Sequence, residues 1–254
     1  MSNVVVEDLE RVDQAFAGNS LLSTFAADAR GLIEATGTII ELAAGTVVLS
    51  PGVNVEHSIF PFGGTTISLL VDDGTGRSVE VASIGREGAV GGIVSCGHTP
   101  AYSRAEVQVA GPAFRVGLKA LEDAKRNSAF IGNLFCRYSD YLLAQVMQSV
   151  ACNAYHSIGQ RAARWLLTAQ DRAGDRLAIT QEELAGLLGV QRTTLNAVVR
   201  SLQEQGLIAI GRGKIHVEDR AGIKRASCKC YDALQGHFGS IIGPTGTGGN
   251  ADCA

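Results

Sequence analysis

No cysteine occurs among residues 1–95, so the front of the chain cannot supply the clustered thiolates that an iron–sulfur centre needs. No run of 18 apolar residues occurs anywhere, so the sequence contains no membrane-spanning helix. The opening MSNVVVEDLERVDQ is acidic and lacks the basic-then-apolar layout of a signal peptide. The expected location is therefore the cytoplasm, with no membrane partner. Paired carboxylates, a nucleophile–base constellation and the phosphate-cradling GxxxxGK[ST] are all missing, and the GTGG near the C-terminus is too short and lacks the lysine. An enzyme is not expected.

What is present is a chain of 254 residues, 46% hydrophobic, long enough for a sizeable core and two domains. The net charge of −3 conceals an asymmetry. Residues 1–155 carry 10 basic and 16 acidic side chains, whereas residues 156–230 carry 12 basic and 7 acidic. A polyanion-binding surface is therefore expected in the rear. The cysteines (Cys96, Cys136, Cys152, Cys228, Cys230 and Cys253) are scattered, and free thiols are expected.

The most informative stretch is ITQEELAGLLGVQRTTLNAVVRSL, residues 179–202. Thr180 and Glu183 have the spacing of a capping box. Leu184, Leu187 and Leu188 then form an apolar face, Gly189 supplies a turn, and the helical pattern restarts at Leu195, Val198, Val199 and Leu202. Small Ala185 falls where two such helices must approach closely, with Leu184, Val190, Leu195 and Val198 between them. Gln191, Arg192, Thr193, Asn196 and Arg200 are left on the outer face of the second helix, and their amide, hydroxyl and guanidinium groups suit base edges and phosphates in a major groove. Leu207–Ile210 and Lys214–Val217 flank Gly211-Arg212-Gly213 as a hairpin with a basic tip. A helix pair followed by such a hairpin is a winged helix-turn-helix.

Upstream, residues 1 to about 34 have helical spacing. Short runs then follow at Gly37–Leu42, Thr46–Ser50, His57–Phe60, Thr66–Val71, Ser78–Ile84, Ala105–Val109 and Ala113–Gly117, separated by glycine-rich turns. This texture predicts an antiparallel sandwich or barrel. Over 121–156 glycines become few, and Phe130, Leu134, Tyr138, Tyr141/Leu142, Gln145/Val146 and Ser149/Val150 follow steps of three and four. This seam on a long helix suits pairing with the same helix of a second subunit, the alternative being a helix packed on its own β-domain. Residues 157–170 begin the rear domain with Ala162, Trp165, Leu166 and Ala169 as an apolar stripe, Trp165 being read as core. DRAGIKRASCKCYDAL reads as one short helix after the wing. The expected division is α+β: a β-roll (jelly-roll-like) domain with N-terminal helices over 1–120, a central dimerisation helix over 121–156, a winged helix-turn-helix domain over 157–238 and a flexible Gly-rich tail over 239–254.

An eight-strand-like front, a long central helix and the rear motifs RAARWLL, ITQEELAGLLGVQRTTLNAVVRSLQEQGLI and ASCKCY resemble the CRP/FNR family of bacterial transcription regulators. The resemblance spans most of residues 20–235. It implies a homodimer whose recognition helices read a two-fold symmetric site on double-stranded DNA, with RNA polymerase as a further partner. The family's catabolite activator uses an Arg-Glu pair and a second Arg one turn later. Arg192 matches the first Arg, Thr193 stands at the Glu position and Ala197 at the second Arg position, so a different DNA sequence is expected. Gln191 and Asn196 join Arg192 as base readers, while Thr194, Arg200, Arg212 and Lys214 are assigned to phosphates. The competing reading is a ligand-binding or interaction module whose helix-turn-helix no longer binds DNA.

The family's front domain often holds cyclic AMP, using a carboxylate for the ribose and an Arg-Ser pair for the phosphate. In REGAVGGIVSCGHTPAYSRAEVQV the Gly-Glu position is Gly91-Gly92, and the pair is inverted as Ser103-Arg104. The adenine-contacting hydroxyl positions align with Val146 and Met147. Buried ribose and phosphate would lose their partners, so cyclic AMP is not expected. Arg104 keeps the option of another anion in the same hollow, with Gly91, Gly92 and Ser103 around it, the equal alternative being a surface or intrasheet arginine. His57 and His98 lie beside turn residues and read as surface histidines, not haem ligands. Cys228-x-Cys230 alone is too short for a zinc knuckle, which needs two pairs, and redox chemistry there is the alternative. No metal or cofactor is expected.

Overall fold

The computed structural model describes residues 2–93 and 99–242. Among them no helix is long and apolar enough to cross a membrane. The chain opens with α1 (Ser2–Gly18), a 3-10 turn at Leu22–Thr24 and α2 (Ala27–Glu34). Seven strands follow: β1 (Thr38–Leu42), β2 (Val47–Leu49), β3 (His57–Pro61), β4 (Thr66–Asp72), β5 (Ser78–Ile84), β6 (Arg104–Val109) and β7 (Gly111–Gly117). Each of the seven apolar runs becomes one strand. The front thus has seven strands among the described residues, against the eight-strand-like layout expected.

The strands form two antiparallel sheets, ordered β1-β7-β3 and β2-β6-β4-β5. Side chains alternate across each strand, so one face of each sheet turns inward. Leu42, Ile59, Ile67, Ile84, Ala105, Val107 and Ala113 meet there as a buried cluster. The other face of the first sheet carries Phe60, Phe114 and Val116 into a second core with Ala15 and Phe16 of α1 and Ile33 of α2. Asn19 anchors this corner. Its fully buried amide donates to the carbonyls of Pro61 (2.9 Å) and Gly88 (2.8 Å), and its oxygen accepts from the N–H groups of Leu21 and Leu22.

The helical run expected over 121–156 is two helices, α3 (Leu118–Asn127) and α4 (Ala129–Tyr155). Ser128 is extended between them, and its hydroxyl caps α4 by accepting from Ile131 N–H. α4 has two faces. Ile131, Leu134, Phe135, Tyr138, Tyr141, Gln145, Ser149 and Cys152 are buried within the same chain, and the Tyr138 hydroxyl both accepts from and donates to the backbone of Ala89. Most of the seam read from the sequence is therefore internal packing, because those side chains already have partners. A different stripe is exposed, Cys136, Asp140, Leu143, Met147, Val150 and Ala154, in alternating steps of four and three.

The rear comprises α5 (Ile158–Ala173), β8 (Arg176–Leu177), α6 (Gln181–Leu187), α7 (Arg192–Glu204), β9 (Ile208–Gly211), β10 (Lys214–Val217), α8 (Arg220–Ala226) and α9 (Cys230–Ile241). The single short helix expected after the wing is thus α8 and α9. α9 runs through Gly239 and packs on α4, with the Phe238 and Tyr141 rings 4.9 Å apart edge to face. Ile242 is buried. The tail expected from 239 therefore begins no earlier than 243, and residues 243–254 lie outside the described residues. The rear domain rests on the outer face of β4 and β5. Leu70 enters its core, Trp165 donates its indole N–H to Glu80 at 3.1 Å, and Arg172 donates to the Ser83 hydroxyl at 2.8 Å and the Ser83 carbonyl at 2.7 Å. Burial alone would lower the Arg172 pKa; the paired Glu87 carboxylate outweighs it, and the guanidinium stays charged.

Candidate nucleic-acid interface

The interface is built on α6, α7 and the β9–β10 hairpin. α6 starts at Gln181 because Thr180 closes a capping box: its hydroxyl accepts from Glu183 N–H at 3.1 Å, and the Glu183 carboxylate accepts from Thr180 N–H at 2.7 Å. The link to α7 turns at Gly189, whose φ of +64° favours glycine. Ala185 is buried at the helix crossing, and Leu184, Leu195, Val199 and Leu202 are buried with it, while Val190 and Val198 are partly buried. The inner side of α7 is thereby committed to the core.

Its outer side is polar. Gln191 occupies the N-cap position of α7 but makes no side-chain cap bond. Gln191, Arg192, Thr193, Thr194, Asn196 and Arg200 are all exposed, as are Arg212 in the hairpin turn and Lys214 at the start of β10. A cleft of about 490 Å³ between α7 and the hairpin is lined by Thr180, Glu182, Arg192, Asn196, Gly211 and Lys214. The fold thus brings Arg192, Asn196 and Lys214 to one concavity. Gln191 lines a different one, shared with the β4–β5 turn; Arg200 lies two turns along α7, and Arg212 at the hairpin tip. Arg192 is held in a 3.1 Å ion pair with Glu182, both partners being well exposed. Glu182 was not singled out in the sequence; its position one residue before the capping Glu183 gives no hint that it faces Arg192.

The four residues proposed for an effector do not converge. A Cβ at Gly91 would fall 2.3 Å from the His57 carbonyl oxygen, and one at Gly92 would fall 2.1 Å from Leu118 Cδ1, with φ at +92° and +63° respectively. At Gly91 the obstacle is backbone, whereas at Gly92 it is the end of the Leu118 side chain. Arg104 follows Ser103 at the start of β6, on the face opposite inward-facing Ala105 and Val107, where it pairs with Glu106 at 2.5 Å and donates to Ser78 at 3.2 Å. Alternation along β6 turns it out of the roll. The hollow that remains, about 430 Å³, is lined by Ile40, Ser50, Asn54, His57, Ile59 and Arg115 among others. Its cation is Arg115, opposite Ile59 and Thr38 in the sheet register. The period-two pattern of β7 could have placed it there. His57 lines this hollow; His98, like Cys96 and Cys253, lies outside the described residues.

Residues 160–226 match the Crp-like helix-turn-helix domain. No curated protein matches the sequence. The fold is similar to that of FixK2 from Bradyrhizobium japonicum, with a TM-score of 0.64 at 16% identity over 76% of this chain and 98% of that one. A CRP/FNR-family regulator from Eubacterium rectale gives a TM-score of 0.63 at 19% identity, covering 81% of this chain and 96% of that one. The c-di-GMP-responsive regulator CLP of Xanthomonas campestris gives 0.60 at 18% identity over 76% of this chain and the whole of that one. The chain carries a Crp-like helix-turn-helix domain and has the fold of CRP/FNR-family transcription regulators.

Proposed function

We propose that this CRP/FNR-type protein is a cytoplasmic, homodimeric, sequence-specific DNA-binding regulator that reads a two-fold symmetric operator without cyclic AMP. The observation carrying this reading is the outer side of α7 with its hairpin. Eight polar or cationic side chains are exposed there, backed by a helix-turn-helix core that leaves the outer face free. Arg192 and Asn196 border the cleft where base edges would enter, Arg192 being suited to the two acceptors of a guanine and Asn196 to adenine. Arg200, Arg212 and Lys214 flank it as phosphate contacts that set register.

Two recognition helices require two protomers. The exposed stripe on α4 supports that arrangement: Leu143, Met147 and Val150 are 53%, 61% and 66% exposed, at the spacing of a coiled-coil seam. A second copy of α4 is the occupant that would cover them in a symmetric pairing. The absence of a carboxylate at Gly91 and Gly92 and the outward turn of Arg104 support independence from cyclic AMP.

Salt titration of duplex binding tests the proposal. Three cations per protomer make six phosphate contacts per dimer, so log K should fall against log salt with a slope of about −5. Replacing Arg212 and Lys214 by Ala should flatten it to about −2. A wild-type slope near zero would refute DNA binding and leave an interaction module.

A further inference from the structure

Three cysteines and a histidine that are distant in sequence meet where the central helix joins the rear domain. Cys152 and His156 lie one helical turn apart at the end of α4, His156 being its C-cap. Cys228 lies on the link between α8 and α9, and Cys230 opens α9. The four donor atoms all lie within 4.8 Å of one another. Cys152 Sγ and Cys228 Sγ are 3.6 Å apart, and Cys230 Sγ is 3.4 Å from His156 Nδ1. The three thiols are buried, forming a small cluster of their own.

We propose that these residues form a closed, four-coordinate Cys3His site for a zinc-class divalent ion. Bond lengths of about 2.3 Å to sulfur and 2.0 Å to nitrogen place ligands of one tetrahedral ion about 3.5–3.8 Å apart. The two close pairs in the cluster stand at that spacing. The donor set contains no carboxylate, and thiolates with imidazole favour zinc over magnesium or calcium. With four protein ligands no position is left open for substrate, as in structural sites. Gln148 donates its amide to Cys230 Sγ at 3.0 Å, the kind of outer hydrogen bond that orients a metal thiolate. On binding, three thiol protons pass to solvent, and the ion with three thiolates carries one net negative charge. Arg161 lies near enough to Cys152 and Cys228 to feel such a charge.

The arrangement resolves why Cys228-x-Cys230 looked incomplete in the sequence: its second pair is Cys152-x3-His156, on a different element. A disulfide between Cys152 and Cys228 would leave Cys230 and His156 unused. An ion would fasten the end of α4, the Tyr155–Ile158 joint and the α8–α9 link to one point. Occupancy would then set how firmly the DNA-binding domain is held against the central helix. Coordination itself does not depend on DNA binding, so its test is separate.

The test is metal content and cobalt substitution of the full-length protein, purified with reductant. Elemental analysis should find one zinc per protomer. Co2+ added to the reduced apoprotein should give the intense visible bands and thiolate charge-transfer absorption of tetrahedral cobalt, lost on adding one equivalent of Zn2+. Cys152→Ser and Cys228→Ser should abolish the spectrum, and His156→Cys should keep it in shifted form. The proposal is overturned if reduced wild-type protein gives no tetrahedral cobalt spectrum, if the serine variants give an unchanged one, if the purified protein holds a sulfide-containing iron chromophore, or if its mass shows a Cys152–Cys228 disulfide. Should a serine variant fail to fold, the wild-type cobalt titration still decides.

Discussion

On the proposed reading, Arg192 must leave one partner to meet another. In the free protein it pairs at 3.1 Å with Glu182, the two side chains being 64% and 74% exposed. Such an exposed pair is worth about 0–1 kcal/mol, whereas a bidentate contact to guanine discriminates by about 1–3 kcal/mol. Taking the middle of each range, each half-site retains about 1.5 kcal/mol after surrender of the ion pair, or about 3 kcal/mol per dimer. Arg192→Ala should therefore weaken binding to a sequence selected from a random duplex pool on the order of 100-fold. Glu182→Gln should tighten wild-type binding by up to about 30-fold, because it releases Arg192 in advance in both protomers. The assay is fluorescence anisotropy at one fixed salt concentration with all four proteins of the double-mutant cycle. If Glu182 acts by holding Arg192, its substitution has no effect in the Arg192→Ala background. A gain that persists there would show simple repulsion of the DNA. Unchanged affinity of Arg192→Ala would refute the base-reading role.

Met147→Glu places a carboxylate in the exposed stripe of α4. It should leave the protomer folded, since Met147 is 61% exposed, yet dissociate the dimer by at least about a hundredfold, as a charge buried in the interface goes unpaired; sedimentation at micromolar concentration checks this, and an unchanged dimer would contradict it. Asn19→Ala strips the Pro61 and Gly88 carbonyls and two N–H groups of their partners, which should cost about 2–5 kcal/mol in urea unfolding followed by circular dichroism; a loss under about 1 kcal/mol would contradict this bonding. Burial holds the Glu80 carboxyl above its ordinary 4.5, against the opposing Ser68 hydrogen bond. Folding therefore favours its protonated form, and the stability it contributes is full below 4.5 and lost as pH rises through the folded value. Glu80→Gln keeps an acceptor for Trp165 and should remove that dependence; equal pH slopes of thermal midpoint in both proteins would refute the assignment.

The helix-turn-helix was legible because its determinants are local. A capping box, one turn glycine and two helical repeats sit within 24 residues, and Leu184, Ala185 and Leu195 took their expected places. The strands were legible because Gly-rich turns bracket them, although which strand pairs with which depends on contacts between distant residues. α4 misled because it is apolar on two sides. Periodicity finds both Tyr138–Tyr141–Gln145 and Leu143–Met147–Val150, but only packing shows that the first stripe is already covered. Likeness of motif leaves Arg104 open between the hollow and the surface; the alternation of β6 decides for the surface, and that of β7 puts Arg115 at the hollow. α9 is legible only as far as Leu234 and only merged with α8, since Gly236 and Gly239 argue against a helix; packing of Phe238 and Ile242 beside α4 overrides that propensity. The Cys/His cluster was illegible for a simpler reason: 76 residues separate Cys152 from Cys228.

Selection of bound duplexes from a random-sequence pool by the full-length protein, followed by sequencing and a stoichiometry titration on the enriched site, tests whether two protomers read a two-fold symmetric operator. Inverted repeats whose half-site centres lie about one helical turn apart should be enriched, bound by two protomers per duplex. Failure to enrich any sequence, or enrichment of a lone half-site bound by one protomer, would contradict that reading.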